Sequence, residues 1–261
     1  MVYNRKRCPK SSVDIDRSVK EINMTKLLYY QDAYLREMDA HILEINREGD
    51  KKWQIILDQT IFYPMGGGQP TDQGFLSTPE WKGKVYQVLH KGDKIIHYVE
   101  TEQPPSVGTS IHGVIDWERR YLNMRLHSAA HVIDFALYLL GYSPQPLFPI
   151  KGDSGKTPYI VYQGIIEEDF REALEKKALD LIAQDLPFSF KFVSYEELER
   201  EALYLQPGLP KNKPLRLLTL QGIGSVADGG TQVNRTAEIG SLVILPLEKK
   251  EGMTIIHYRL P

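Results

Sequence analysis

The sequence has a single cysteine, Cys8, in 261 residues. An internal disulfide is excluded, and so is a thiolate-rich zinc cluster, because each needs several sulfurs. Long apolar runs are equally scarce. No stretch approaches the ~18 residues that span a bilayer, since Asp, His or Gly breaks every candidate. There is also no excess of one charge: 32 Lys and Arg face 34 Asp and Glu, a formal net charge of -2. That balance neither demands nor forbids a nucleic-acid partner, because binding depends on where basic groups cluster. No apolar leader is read at the start, where Arg5, Lys6, Arg7 and Lys10 sit among polar residues. With 42% hydrophobic and 25% charged residues, the expectation is a globular cytoplasmic protein without membrane association.

What is present divides in two. Residues 1–23 are polar and without period, and read as a tail or an unnatural extension; Met24 then opens a start-like segment. Over 24–116 the apolar period is that of short strands. Ile42, Leu43 and Ile45 lead to a turn at Glu48-Gly49-Asp50, and Trp53, Ile55 and Leu57 alternate after it. Val85 to Leu89, Ile95 to Val99 and Ser110 to Ile115 continue the series, punctuated by Gly83, Gly92-Asp93 and Pro104-Pro105. Short strands with such punctuation predict a small β-barrel. Over 117–261 the pattern becomes mixed. Leu122, Leu126, Ala129, Ile133, Ala136, Leu137 and Leu140 recur at helical spacing, and Gly141 is the expected C′ residue. Tyr159 to Gln163, Phe188 to Val193, Leu215 to Leu220, Leu242 to Leu247 and Thr254 to Tyr258 predict strands. Glu167 to Asp185 predicts a helix with acidic residues in its first turn, and Ser194 with Glu197 predicts a capping box. The fold class expected is therefore α+β, a barrel followed by a mixed second domain.

On the first helix, His127 and His131 stand at i and i+4, so both imidazoles reach one point in space. The spacing is that of HExxH metalloproteases, but Ser128 occupies the place of their catalytic Glu, which argues against that peptidase. Two ligands alone do not make a metal site. Two glycine turns add to the pair. Gly66-Gly67-Gly68-Gln69 follows Phe62-Tyr63-Pro64, an aromatic and proline lead-in that predicts a defined loop whose backbone approaches a ligand. Asp228-Gly229-Gly230-Thr231-Gln232 is the second turn, continued by Thr236-Ala237-Glu238-Ile239-Gly240.

Taken in order, the three segments resemble the alanyl-tRNA editing (AlaX) family and the editing domain of alanyl-tRNA synthetase. Those proteins carry HxxxH on a helix, a GGQ turn by a β-barrel, and a CGGTHxxxTxEIG-like segment nearer the C-terminus. The resemblance runs from about Met24 to the end. It implies a translation-factor-like β-barrel over 24–116 followed by an α+β editing domain over 117–261. It further implies a hydrolase that deacylates tRNA(Ala) mischarged with serine or glycine. Gln69, Thr231, His127 and His131 are the catalytic candidates. Gly66, Gly67, Gly68, Gln69, Gly229 and Gly230 are expected against the substrate, with Arg120, Arg125 and Arg235 on RNA phosphates. One zinc ion is expected on His127, His131, Asp228 and Gln232. The sequence departs from the family there: Asp228 stands where the family has Cys, and Gln232 where it has His. Asp is a legitimate zinc ligand and a Gln amide a poor one, so three ligands and an open position would suffice. Two histidines and a carboxylate are also the set of iron oxygenases, although nothing else in the sequence suggests oxygen chemistry. Two other functions stay open on these residues: a non-catalytic tRNA-binding module, and a metallohydrolase of another small ester. Serine against glycine, and the oligomeric state, are not legible.

Overall fold

The computed structural model describes residues 25–261, so the tail expected over 1–23 and the start-like Met24 lie outside the described residues. Strand β1 (Lys26–Leu27) pairs in parallel with β4 (Gln59–Thr60) ahead of the barrel. The barrel itself is built from β2 (Glu37–Gly49), β3 (Lys52–Leu57), β5 (Gly74–Ser77), β6 (Lys82–Lys91), β7 (Lys94–Glu100) and β8 (Ser110–Ile115). It closes in the order β2-β3-β7-β6-β5-β8, with β8 antiparallel to β2, so that no ladder is left open to another chain. Alternation decides which side chains fill it. In β2, Met38, Ala40 and Ile42 point inward between exposed Glu37, Asp39 and His41. Ile55, Leu57, Val85, Val88, Val99 and Ile111 complete a packed interior.

The helix predicted around the histidines is α1 (Trp117–Leu139), whose N-terminus is capped by Asp116 accepting from Arg119 N. It stops in a Schellman motif: Tyr142 N–H donates to Leu137 O (2.9 Å) and Gly141 N–H to Tyr138 O (3.0 Å). Gly141 has φ 77°, the left-handed conformation that motif requires. Trp117, half-buried, packs against both the barrel core and the second core, and so ties the helix start to both. The second core gathers the inner face of α1 with Leu174, Ala178 and Leu181 of α2 (Arg171–Ala183). Beside them lies an antiparallel sheet containing β9 (Phe148–Asp153) and β10 (Tyr159–Gln163). Its remaining strands are β14 (Val243–Ile244), β15 (Glu248–Lys250) and β16 (Met253–Arg259). A second antiparallel sheet runs β11-β12-β13, formed by β11 (Phe188–Val193), β12 (Leu215–Leu220) and β13 (Gly224–Ala227). A short helix, α3 (Tyr195–Glu201), follows β11. Among the described residues, no helix is long and apolar enough to cross a membrane.

The departures from expectation have local causes. α2 starts at Arg171 rather than Glu167, because Asp169 turns back to accept from Arg171 N (3.0 Å) and ends the loop there. At α3 only half of the box forms: Ser194 accepts from Glu197 N (3.2 Å), while the Glu197 carboxylate takes Lys191 Nζ (2.8 Å). The strand expected over Leu242 to Leu247 shrinks to Val243–Ile244, since Pro246 has no N–H for a ladder.

One buried group gives the barrel a pH dependence. His97 is fully buried, with Nε2 2.8 Å from Thr60 Oγ1 and Nδ1 3.1 Å from Ile55 O. The carbonyl only accepts, so Nδ1 carries the proton. Burial pushes the pKa down from 6.5 to about 4, the Ile55 carbonyl opposing it weakly. The unfolded chain then binds the proton more readily than the folded one. Stability from this group is therefore complete above pH 6.5 and is lost as pH falls toward 4, on the order of 3 kcal/mol in all. Urea unfolding between pH 7 and 4 will show that slope, and His97→Gln will flatten it; an unchanged slope in the variant would assign the titration elsewhere.

Candidate active site

Helical spacing places His127 and His131 one turn apart on α1, and the second glycine turn brings Asp228 to them. The two Nε2 atoms lie 3.3 Å apart, and Asp228 Oδ1 is 3.0 Å from the first and 3.3 Å from the second. All three side chains are nearly buried, at 6%, 14% and 6% exposure. Burial pushes the Asp228 carboxyl upward, but the two facing histidines outweigh it and hold the group well below the usual carboxylate range. It is thus an ionised oxygen donor beside two imidazole nitrogens. Ligands about 2.0–2.1 Å from a tetrahedral zinc sit roughly 3.3–3.4 Å from one another, and the three separations here are of that size. The donor set fits a divalent ion with a position left open.

The other carboxylate oxygen is held from behind. Asp228 Oδ2 accepts from Gly230 N (3.0 Å), Arg216 Nη1 (3.2 Å) and Gln232 Nε2. Arg216 also donates to Gly230 O (2.7 Å) and Gln232 Oε1 (2.8 Å). The amide oxygen of Gln232, expected among the metal ligands, is therefore engaged by Arg216, and the amide nitrogen braces Asp228. Gly230 has to be glycine for space: a Cβ there would lie 2.3 Å from His127 Nε2. Ser128, in the place of a peptidase Glu, accepts from Val233 N (3.0 Å) and pins the second turn to α1.

Two expected catalytic residues, Gln69 and Thr231, are found paired with each other. Gln69 and Thr231 are each 1% exposed. The Gln69 amide donates to Thr231 Oγ1 (2.8 Å) and accepts from Thr231 N (2.8 Å), which joins the barrel's glycine turn to the second one. Neither borders the cavity, and the polar atoms of the two side chains are engaged with each other. Arg120 is engaged in a similar way. It is 0% exposed, with Nε 2.8 and 3.0 Å from the Asp72 carboxylate and the other donors on Ala33 O and Ile61 O. Enclosed in this way, its guanidinium has no surface to offer a phosphate. Arg125 is committed to Ile239 O (2.7 Å) and the exposed Arg235 to Asp185 (2.7 Å). None of these three arginines lines the cavity.

That cavity, about 760 Å³, opens onto the histidine–aspartate cluster and is walled by Gly66, Gly67, Gly68 and Gly229. The glycines expected at the substrate thus line it, Gly230 excepted. Gly68 (φ 75°) also packs so closely on β9 that a Cβ would sit 2.5 Å from Gly152 O. The cations that do border the cavity are Lys151, Lys213 and Arg216. Lys151 carried no signal in the sequence, since β9 has no apolar alternation. Lys213 and Arg216 stand in the sequence only as basic residues ahead of the second turn.

Residues 4–119 match the family described as tRNA synthetases class II (A). The alanyl-tRNA editing protein AlaX-L of Pyrococcus horikoshii is 33% identical over 230 residues, covering 87% of this chain and 55% of that protein. The alanine–tRNA ligase of Thermococcus kodakarensis is 34% identical over 236 residues, 88% of this chain and 25% of the ligase. That of Korarchaeum cryptofilum is 38% identical over 243 residues, 90% of this chain and 26% of the ligase. The chain therefore spans about half the length of the first relative and about a quarter of the ligases.

The Gln69–Thr231 contact predicts a structural phenotype. Gln69→Ala leaves the buried Thr231 N–H and hydroxyl without a partner, and urea unfolding will show a loss of about 1–3 kcal/mol. Unchanged stability would contradict the assignment.

Proposed function

We propose that the chain is an alanyl-tRNA editing protein of the AlaX kind and that it hydrolyses the ester of tRNA(Ala) mischarged with serine or glycine. The observation that carries this reading is the His127, His131 and Asp228 cluster at the floor of one cavity. Deacylation needs a positioned water, a polarised ester carbonyl and a cavity that admits the terminal nucleotide with its amino acid. The volume lies within the range of small-molecule sites.

His127 Nε2, His131 Nε2 and Asp228 Oδ1 are the atoms that would hold a zinc ion. Bound there, the ion supplies Lewis-acid polarisation and a water of lowered pKa. The chain's own residues prepare the rest. Arg216, Gln232 and the Gly230 N–H fix Asp228 Oδ2, which turns Oδ1 toward the histidines. Gly66 to Gly68 and Gly229 form walls without side chains, so the ester can approach the backbone closely. Lys151 and Lys213, on the same cavity, suit the phosphates of the RNA end. A cytoplasmic place, where tRNA is charged, goes with this activity.

Purified chain incubated with seryl-, glycyl- and alanyl-tRNA(Ala) will release serine or glycine and spare alanine. His131→Ala will lower the rate by about a hundred-fold or more, beyond what residues behind a metal ligand cost, while tRNA affinity is kept. Mischarged tRNA left intact by the wild-type chain would refute the proposal.

A further inference from the structure

Strand β11 presents two exposed phenyl rings, of which Phe192 borders this cavity. Phe190 is 41% exposed and Phe192 is 52% exposed. Two residues apart, they share one face of a strand at the edge of its sheet. Phe188, on that face too, packs into the second core, so the face emerges from the protein as it runs toward Phe192. Phe192 lies opposite Arg216 in the β11–β12 register, and its ring meets Tyr30 at 5.6 Å in an edge-on arrangement. Tyr30 donates in turn to Gly229 O (3.2 Å), beside Asp228. The Arg216 guanidinium sits 4.1 Å from the Phe190 ring centroid while it grips Asp228. Tyr30, Phe192 and Arg216 all line the cavity, with Lys151 and Lys213 on the same lining.

We propose that Phe192, set upright by Tyr30, stacks the unpaired terminal base of the RNA that delivers the ester. The inference rests on the editing reading and adds the positioning residue for its substrate. The argument is one of distance and chemistry. The scissile ester is on the terminal ribose, so its base must lie within one nucleotide of the His127–His131–Asp228 cluster. Phe192 is the exposed aromatic that borders the same cavity. An apolar ring in water has little to gain there, whereas every base has a π-face that stacks on it without regard to sequence. Cations alongside aromatic rings are the combination that single-stranded nucleic acid selects, with Lys213 and Lys151 placed for phosphates. A second protein would not need its apolar contact to open onto a catalytic cavity.

The test uses uncharged RNA, so that binding is read apart from hydrolysis. Fluorescence anisotropy is measured with an acceptor-stem hairpin ending in unpaired CCA, and with the same hairpin lacking the last A. Wild type should prefer the intact end. Phe192→Ala should weaken binding of the intact hairpin about ten-fold and abolish the preference, while Phe192→Trp retains both. Equal affinities of wild type and Phe192→Ala for the intact hairpin would overturn the proposal. So would an equal loss on the two hairpins. Sedimentation that shows a wild-type dimer becoming a monomer in Phe192→Ala would overturn it too, by assigning the rings to a second copy. If the preference depends on Phe192 but no tRNA is deacylated, the stacking role stands and the editing reading falls.

Discussion

The Asp228 carboxylate is divided between two sets of partners, and the arrangement of the site follows from that division. Oδ2 is gripped by Arg216, Gln232 and the Gly230 N–H; Oδ1 is left for the two histidines. A buried anion is tolerated only when paired and hydrogen-bonded. Here the pairing also fixes orientation, since the carboxylate cannot rotate without giving up three donors. Arg216 is correspondingly a residue of the interior. The same guanidinium meets Phe190 on its outer side, so the grip on Asp228 reaches the aromatic face beside the cavity.

The cluster is formed by elements from distant parts of the chain, and two buried contacts hold those parts in register. Arg120 joins α1 to the barrel loop through Asp72, both side chains fully buried. Removing one partner of such a pair typically costs about 3–5 kcal/mol, because the other charge is stranded. Gln69 and Thr231 join the two glycine turns. The two glycine turns thus serve close packing as much as ligand approach: Gly68 of the first lies against β9 and Gly230 of the second against His127.

Much of this was legible in the chain. β8 and β10 coincide with the segments read from alternation, and α1 was marked by apolar spacing and by Gly141 at its end. His127, His131 and Asp228 were identified through their motifs and converge in space. The failures concern polar residues whose partners are far away in sequence. Arg120 reads as a surface cation until Asp72, 48 positions earlier, is seen to enclose it. Gln69 and Thr231 are 162 positions apart, and each looks like a free polar group at a turn. Periodicity reports which face is buried; it does not report which polar group another will neutralise. β9 and β13 were missed because Gly152, Pro149 and Gly224 break their patterns.

The claim on which the rest depends is that His127, His131 and Asp228 form a single three-ligand centre. It is tested most directly by calorimetric titration of zinc into metal-stripped protein, comparing wild type with Asp228→Asn. The prediction is about one tightly bound ion per chain in the wild type. In Asp228→Asn that binding should weaken by about a hundred-fold or more. Zinc bound equally well by the two proteins, or bound by neither, would contradict it.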